Sequence, residues 1–306
     1  MLARASPAPS VPGLSVQGNA YLPGSLYITI RGLSTGETSN PTVGAVIDDV
    51  PVTSGSYLAY GNLTAPDIDP SDLSRIEVLK GPQGTLYGAD SLGGLIKYVT
   101  TDPSTAAISG RAEVTGVDVP DGSAGYAVRG AVNIPLSDSL AVRISGFDRH
   151  DPGYTNDIVT GQYNVNTADV YGGHVAGLWR ISADVSLKVS ALVQQTNGNG
   201  GSYFNAQLGP KGTVEPTNGY LNYGAEAFAN PYRRQQQLYS STFKARVAGV
   251  DLVAVSGYNV NKLTSVIDQG NSVDGYYNVA PDPLPVSTLS LVRSRFPVRR
   301  PPACGR

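Results

Sequence analysis

Residues 75–100 read RIEVLKGPQGTLYGADSLGGLIKYVT. A strand-like apolar run at 76–79 meets a turn cluster of Gly81, Pro82, Gln83 and Gly84. A second glycine cluster, 88–94, precedes another apolar run at 95–99. Glycine at this density permits positive φ and close backbone approach. The loops hold few long side chains to fill space. The pattern therefore predicts two strands whose connection packs inside, or against, another part of the molecule.

Two further motifs lie upstream. One is Ile28-Thr29-Ile30-Arg31-Gly32; the other is Ala45-Val46-Ile47-Asp48-Asp49-Val50-Pro51-Val52. With residues 76–100 they occur in the order and spacing of the plug domain of TonB-dependent outer-membrane receptors, which this part of the chain resembles. The first matches the family's IRG element. The second matches its (V/I)DGVPV strand and turn, with Asp49 where glycine is usual. The resemblance covers residues 12–104 and implies a mixed α+β plug domain.

The bulk composition agrees with a β-rich chain. Of 306 residues, 36 are glycine, 22 proline and 18 tyrosine, while 15% are charged; that balance favours strands and turns over helices. The net charge of -2 gives no basis for binding nucleic acid. A single cysteine, Cys304, excludes an internal disulfide framework and a cysteine metal site. No run of about 18 apolar residues predicts a transmembrane helix. The first ten residues, MLARASPAPS, are too short and proline-rich for the apolar region of a signal peptide.

From residue 106 the texture changes to segments of alternating apolar and polar positions. Tyr126, Val128, Val132 and Ile134 share one face, and Ala127, Arg129, Ala131 and Asn133 the other. Leu140, Val142 and Ile144 oppose Ala141, Arg143 and Ser145. Tyr171, Val175, Trp179 and Ile181 oppose His174 and Arg180. Val185, Leu187, Val189 and Val193 oppose Ser186, Lys188, Ser190 and Gln194. Tyr239, Phe243, Ala245 and Val247 oppose Ser240, Thr242, Lys244 and Arg246; the segment at 250–260 is less regular. Short turns near 137–139, 182–184 and 248–249 alternate with longer loops near 150–168 and 196–234. Only the first outer loop, 120–123, is short. Outer-membrane barrels have this asymmetry, and tyrosines and Trp179 near strand ends suit their aromatic girdles.

The expected architecture is thus a mixed α+β plug followed by antiparallel transmembrane β-barrel strands. About seven strands begin at Ile108, whereas a receptor barrel of this type needs about 22. An unclosed sheet would expose its edges to lipid. The division expected is a plug at 1–105, incomplete at its start, a partial barrel at 106–290, and an aberrant basic tail at 291–306. That tail carries five arginines in its last 14 residues and no alternation. A fragment of a longer receptor is the expectation, with the signal peptide and the TonB-contacting box not visible in the chain.

Several motifs contain residue types that can carry chemistry. The loop at 81–85 lacks the P-loop spacing, and Gly93-Gly94 lacks a dinucleotide-binding glycine set. Asp48-Asp49 and Asp67, Asp69 and Asp72 could bind calcium or serve hydrolysis. Neither group has a calcium-loop spacing, and Pro66 and Pro70 interrupt the second, so turn and cap roles are expected. His150, expected at an outer loop, and His174, expected to face the lumen, belong to no catalytic motif. No cofactor, metal or enzymatic activity is expected.

The resemblance implies roles for particular residues. Arg31, Glu77 and Lys80 fall near the plug–barrel interface, where the two basic groups would meet barrel carboxylates. Lys80 stands where arginine is common, so bidentate pairing would be lost there. Ligand contacts would come from the outward apex of the plug, with Gln17, Asn19, Tyr21, Ser54, Tyr57, Tyr60 and Asn62 as candidates. Their amides, hydroxyls and rings suit a bulky polar ligand. The implied activity is import of a scarce nutrient across the bacterial outer membrane, a ferric siderophore by default, driven by the TonB energy-transducing complex. Cobalamin, nickel complexes and sugars are the other ligand classes. As written, the chain is expected not to transport. A soluble, plug-like binding module is the alternative from a different class.

Overall fold

A computed structural model describes residues 11–18, 26–33, 41–53, 67–88, 90–157, 161–200, 206–208, 214–216, 222–223, 231–267 and 287–290. The expected tail at 291–306 lies outside them.

The N-terminal part is a small mixed domain. Strands β1 (Leu14–Gly18) and β2 (Leu26–Ile30) form an antiparallel pair. Next come β3 (Val43–Ile47), β4 (Val50–Pro51), a 3₁₀ turn at Pro70–Asp72, β5 (Leu73–Lys80), the single-turn helix α1 (Gly84–Tyr87) and β6 (Gly94–Thr100). Four of these strands make one sheet in the order β4-β3-β6-β5, with β3 and β6 parallel. The two runs flanking the glycine-rich loop are β5 and β6, antiparallel neighbours in this sheet. β3 is buried along its whole length, as a strand covered on both faces must be. Ile28, Ile30, Ala45, Ile47, Val50, Val52, Ile96 and Tyr98 form the core.

Gly94 shows why glycine is needed at the close of the loop. Its φ is +149°, and a Cβ there would lie 2.3 Å from the Leu79 carbonyl oxygen and 2.6 Å from Ile30 Cδ1. The hairpin from β3 to β4 has both turn residues, Asp48 and Asp49, in the left-handed region, at φ 46° and 69°. That is the type I′ requirement, and aspartate tolerates it better than most residues. The glycine usual at position 49 in the resembled family answers the same demand.

The rest is an antiparallel wall. Its long strands are β7 (Ser109–Asp118), β8 (Ala124–Pro135), β9 (Leu140–Asp151), β11 (Ala168–Arg180), β12 (Val185–Gly198), β16 (Tyr232–Val247) and β17 (Val250–Ile267). Short strands β10 (Asn156–Asp157), β13 (Ala206–Leu208), β14 (Val214–Pro216) and β15 (Asn222–Tyr223) lie within the long connections, and β18 (Ser287–Ser290) pairs with β17. The sheet order is β18-β17-β16-β12-β11-β9-β8-β7, so each long strand pairs with its nearest long neighbour in the chain. The seven long strands are those the alternation predicts. His150 differs slightly from expectation: it lies on β9 rather than in a loop, stacked on Tyr126 with ring centroids 6.1 Å apart. The strand simply continues past the last clear alternation.

The alternation also assigns the faces. Tyr126, Val128, Ile144, Val175, Trp179, Val189 and Val193 are exposed. Ala127, Arg129, Asn133, Ala141, Ser145, Arg149, His174, Gln194 and Gln236 are buried on the opposite face, against the small domain.

Candidate functional site

The inner face of the wall carries Arg129, Arg143, Arg149, His174 and Lys188, one or two per strand from β8 to β12. Facing them is an acidic segment of the small domain that leads into β5. Pro70 starts the 3₁₀ turn, and Asp69 caps it by accepting from the Ser71 N–H at 2.9 Å. The expected cap role is thus present, but it is one of several. The Asp69 carboxylate, fully buried, also receives both Nε (2.8 Å) and Nη2 (2.9 Å) of Arg129, and Nη1 of Arg149 at 3.2 Å. Arg149 reaches Asp67 at 2.8 Å. Asp72 binds Arg143 Nε at 2.6 Å and His174 Nδ1 at 2.8 Å. Gln194 locks the backbone: its Oε1 accepts from Asp69 N–H at 3.1 Å and its Nε2 donates to the Asp67 carbonyl at 2.5 Å.

A second contact lies nearer the short turns. Asp48 accepts from the Thr100 N–H (2.9 Å) and hydroxyl (2.5 Å), and from Lys188 Nζ at 3.0 Å. Lys188 also reaches Asp102 at 2.7 Å. Burial works to raise the Asp48 pKa, but the Lys188 charge and the Thr100 hydrogen bonds outweigh it and hold the carboxyl below its ordinary value. Asp49 takes Lys97 Nζ at 2.6 Å. Burial acts to lower the Lys97 pKa, and the Asp49 bond and charge reverse that and raise it. A cleft of about 280 Å³ opens here, lined by Asp48, Lys97, Asp102, Lys188 and Lys244 among others.

Below the linker to the wall, Asn133 accepts from the Ser104 N–H and donates to the Ser104 and Ala107 carbonyls. Farther along the wall the contact becomes apolar. Leu238 joins the core of the small domain, with Leu192 and Val255 packed against it.

The candidate residues fall as follows. Gln17 is exposed at the end of β1, opposite Tyr27. Asn19, Tyr21, Ser54, Tyr57, Tyr60 and Asn62 lie outside the described residues. Arg31 is exposed just after β2, with φ 55°. Glu77 accepts from Arg75 at 2.6 Å on β5, and Lys80 ends that strand, exposed. Among the described residues, no ion pair joins Arg31, Glu77 or Lys80 to the wall. The pairs that do join the two parts have the opposite polarity to the implied one: carboxylates from the small domain, cations from the wall. Composition hid this, because the net charge is close to zero. A usable signal was present in the alternation, whose inward positions included Arg129, Arg143, His174 and Lys188 without one carboxylate. No cluster of metal ligands occurs among the described residues.

A small mixed domain keyed by buried ion pairs to the inner face of an antiparallel wall, with an apolar outer face, defines the plug-and-barrel class. Residues 8–95 match the family model of the TonB-dependent Receptor Plug Domain. Over those residues the chain carries the plug domain of TonB-dependent receptors. It is 35% identical to the pesticin receptor of Yersinia pestis over 96 residues, covering 31% of this chain and 13% of that receptor. It is 26% identical to the ferric enterobactin receptor PirA of Pseudomonas aeruginosa over 239 residues, 71% of this chain and 31% of that one. The crystal structure of the ferric yersiniabactin uptake receptor FyuA from Yersinia pestis superposes with a TM-score of 0.65 at 21% identity, covering 85% of this chain and 38% of that one; at that identity the likeness is one of fold. The chain spans about a third or less of the length of these curated relatives.

Proposed function

We propose that the chain serves TonB-dependent import of a scarce nutrient, a ferric siderophore, across the bacterial outer membrane. The observation that carries this reading is the pairing of two faces on one wall. The outer face exposes Val128, Ile144, Val175, Trp179, Val189 and Val193. The inner face is polar and seats a plug through buried ion pairs. Lipid is the medium that suits the first face, and a gated lumen suits the second. A soluble binding module would need that apolar face covered by protein, and no described residue covers it.

Siderophore as the ligand class is supported by the relatives, two of which are named for ferric enterobactin and ferrioxamine B; a vitamin B12 transporter is also similar. The ligand contacts proposed are those of the plug apex: Gln17, Asn19, Tyr21, Ser54, Tyr57, Tyr60 and Asn62. Arg31, Glu77 and Lys80 would meet parts of a barrel beyond the described strands. The plug division at 1–105 and the wall at 106–290 belong to the same proposal. Binding and gating involve no covalent step. The described sheet is open, with β7 and β18 at its edges, so we propose further that these residues alone do not carry solute across.

The test is radiolabelled ferric siderophore uptake in a receptor-deficient, TonB-competent strain. One culture expresses this chain, and another a whole receptor of the family carrying these residues. The expected result is TonB-dependent uptake by the second and none by the first. Uptake by this chain alone would overturn the incompetence proposal. No uptake of any siderophore, with cobalamin or a sugar taken up instead, would overturn the ligand.

A further inference from the structure

The plug is held to the wall in two unlike ways. Along β8, β9, β11 and β12 every plug carboxylate of the acidic segment is paired, Asp69 by a bidentate Arg129; Arg149 Nε and His174 Nε2 lack partners there among the described residues, but both side chains are held in ion pairs through their other nitrogens. Along β16 and β17, Ser240 pairs with Ser190 and Arg234 donates to Asn261, but two buried amides are left short of partners. Gln236 is 2% exposed, and among the described residues neither atom of its amide has a hydrogen-bond partner. Asn259 is equally buried; its Nδ2 donates to the Val52 carbonyl at a long 3.4 Å, and its Oδ1 has no partner among the described residues. The remaining contact there is apolar, with Val50 against Gly257 so closely that a Cβ on the glycine would lie 2.3 Å from Val50 Cγ1.

We propose that the plug parts from the wall first along β16–β17, opening a hydrated seam lined by Gln236 and Asn259, while the acidic segment stays fixed on β8–β12. A narrow opening admits water a molecule at a time. On the β8–β12 side, the first displacement strips a carboxylate from its cation while both are still enclosed, which is strongly unfavourable. On the β16–β17 side, the first water satisfies amide groups whose burial without partners is already unfavourable. The charged side therefore resists small displacements and the amide side welcomes them. In a transporting receptor the same seam would be a route for a polar solute. That consequence rests on the import reading, but the order of opening does not.

The test uses the full chain in detergent micelles with Cys304→Ser, and single cysteines Gln236→Cys, Asn259→Cys and, as the reference on the charged side, Ser145→Cys. A bulky, polar maleimide is applied across urea concentrations below global unfolding, with no substrate present. The seam predicts labelling at positions 236 and 259 about tenfold or more faster than at 145, as expected of sub-global opening. Equal rates, or faster labelling at 145, would overturn it. Where a cysteine variant loses the protease-resistant plug, hydrogen exchange on the unsubstituted chain decides. The Val52 amide should then exchange before those of Asp69 and Thr100, and the reverse order sinks the proposal. Failure of the uptake test with the predicted labelling order would refute import and leave the seam standing.

Discussion

Single residues carry the join between plug and wall. Asp69 is the clearest, since one carboxylate answers two arginines and caps its own turn. Asp69→Asn leaves enclosed cations short of charge, softened by Glu113 on Arg129 and Asp67 on Arg149. The expected loss is about 3 kcal/mol, read as a lower urea midpoint for protease protection of the plug. Asp48 gives a pH dependence. Its folded pKa lies below the ordinary 3.8, so its contribution is fully present above that value and is lost as pH falls through the folded pKa. The plug should therefore loosen in strong acid, below pH 3.8, and Asp48→Asn should flatten that part of a stability-against-pH curve. An unchanged acid limb in the variant would show that Asp48 is not the group responsible.

At the scale of the element, backbone geometry decides more than side-chain chemistry. Gly94→Ala combines a φ that disfavours side chains with a collision against Leu79 backbone. It should cost at least about 3 kcal/mol and be visible as loss of the folded plug in limited proteolysis. The hairpin between β16 and β17 offers the opposite case. Ala248 and Gly249 have φ 51° and 80°, a two-residue turn with alanine at a left-handed position. Ala248→Asn should stabilise by a few tenths to about 1 kcal/mol, measured as a raised urea midpoint of the wall. The strand boundaries were legible for the same reason that turns are: period-two alternation stops where Ser, Asp, Ala and Gly interrupt it.

For the whole molecule, the outer face sets the medium. Val175 is 44% exposed at the middle of β11, while its neighbour His174 is 5% exposed and bound to Asp72. In lipid, Val175→Arg should cost about 2–4 kcal/mol, because a cation would sit near the bilayer midplane. The check is folding yield into vesicles by heat-modifiable gel mobility. Without lipid or detergent, the exposed face should drive aggregation, seen by sedimentation in plain buffer against micelles. A monodisperse monomer in plain buffer would point instead to the soluble module.

Local rules sufficed for much of this protein. Alternation placed the seven strands and told the exposed apolar side from the inner side, because the pleat turns successive side chains to opposite faces. The glycines of residues 81–94 and the Asp48-Asp49 pair marked backbone demands that hold in any context. What could not be read from local pattern was the partnership of charges. Asp67, Asp69 and Asp72 look like ordinary turn residues, since their cations lie 60 to 102 positions away. Lys188 lies 140 positions from Asp48. Nothing in a period of two says which carboxylate will stand opposite which arginine, or that the Gln236 amide and the Asn259 Oδ1 will be enclosed and unanswered. Only the seating of the plug against the wall decided that, because burial turns polar groups that water would satisfy equally into groups that must find, or lack, one specific partner.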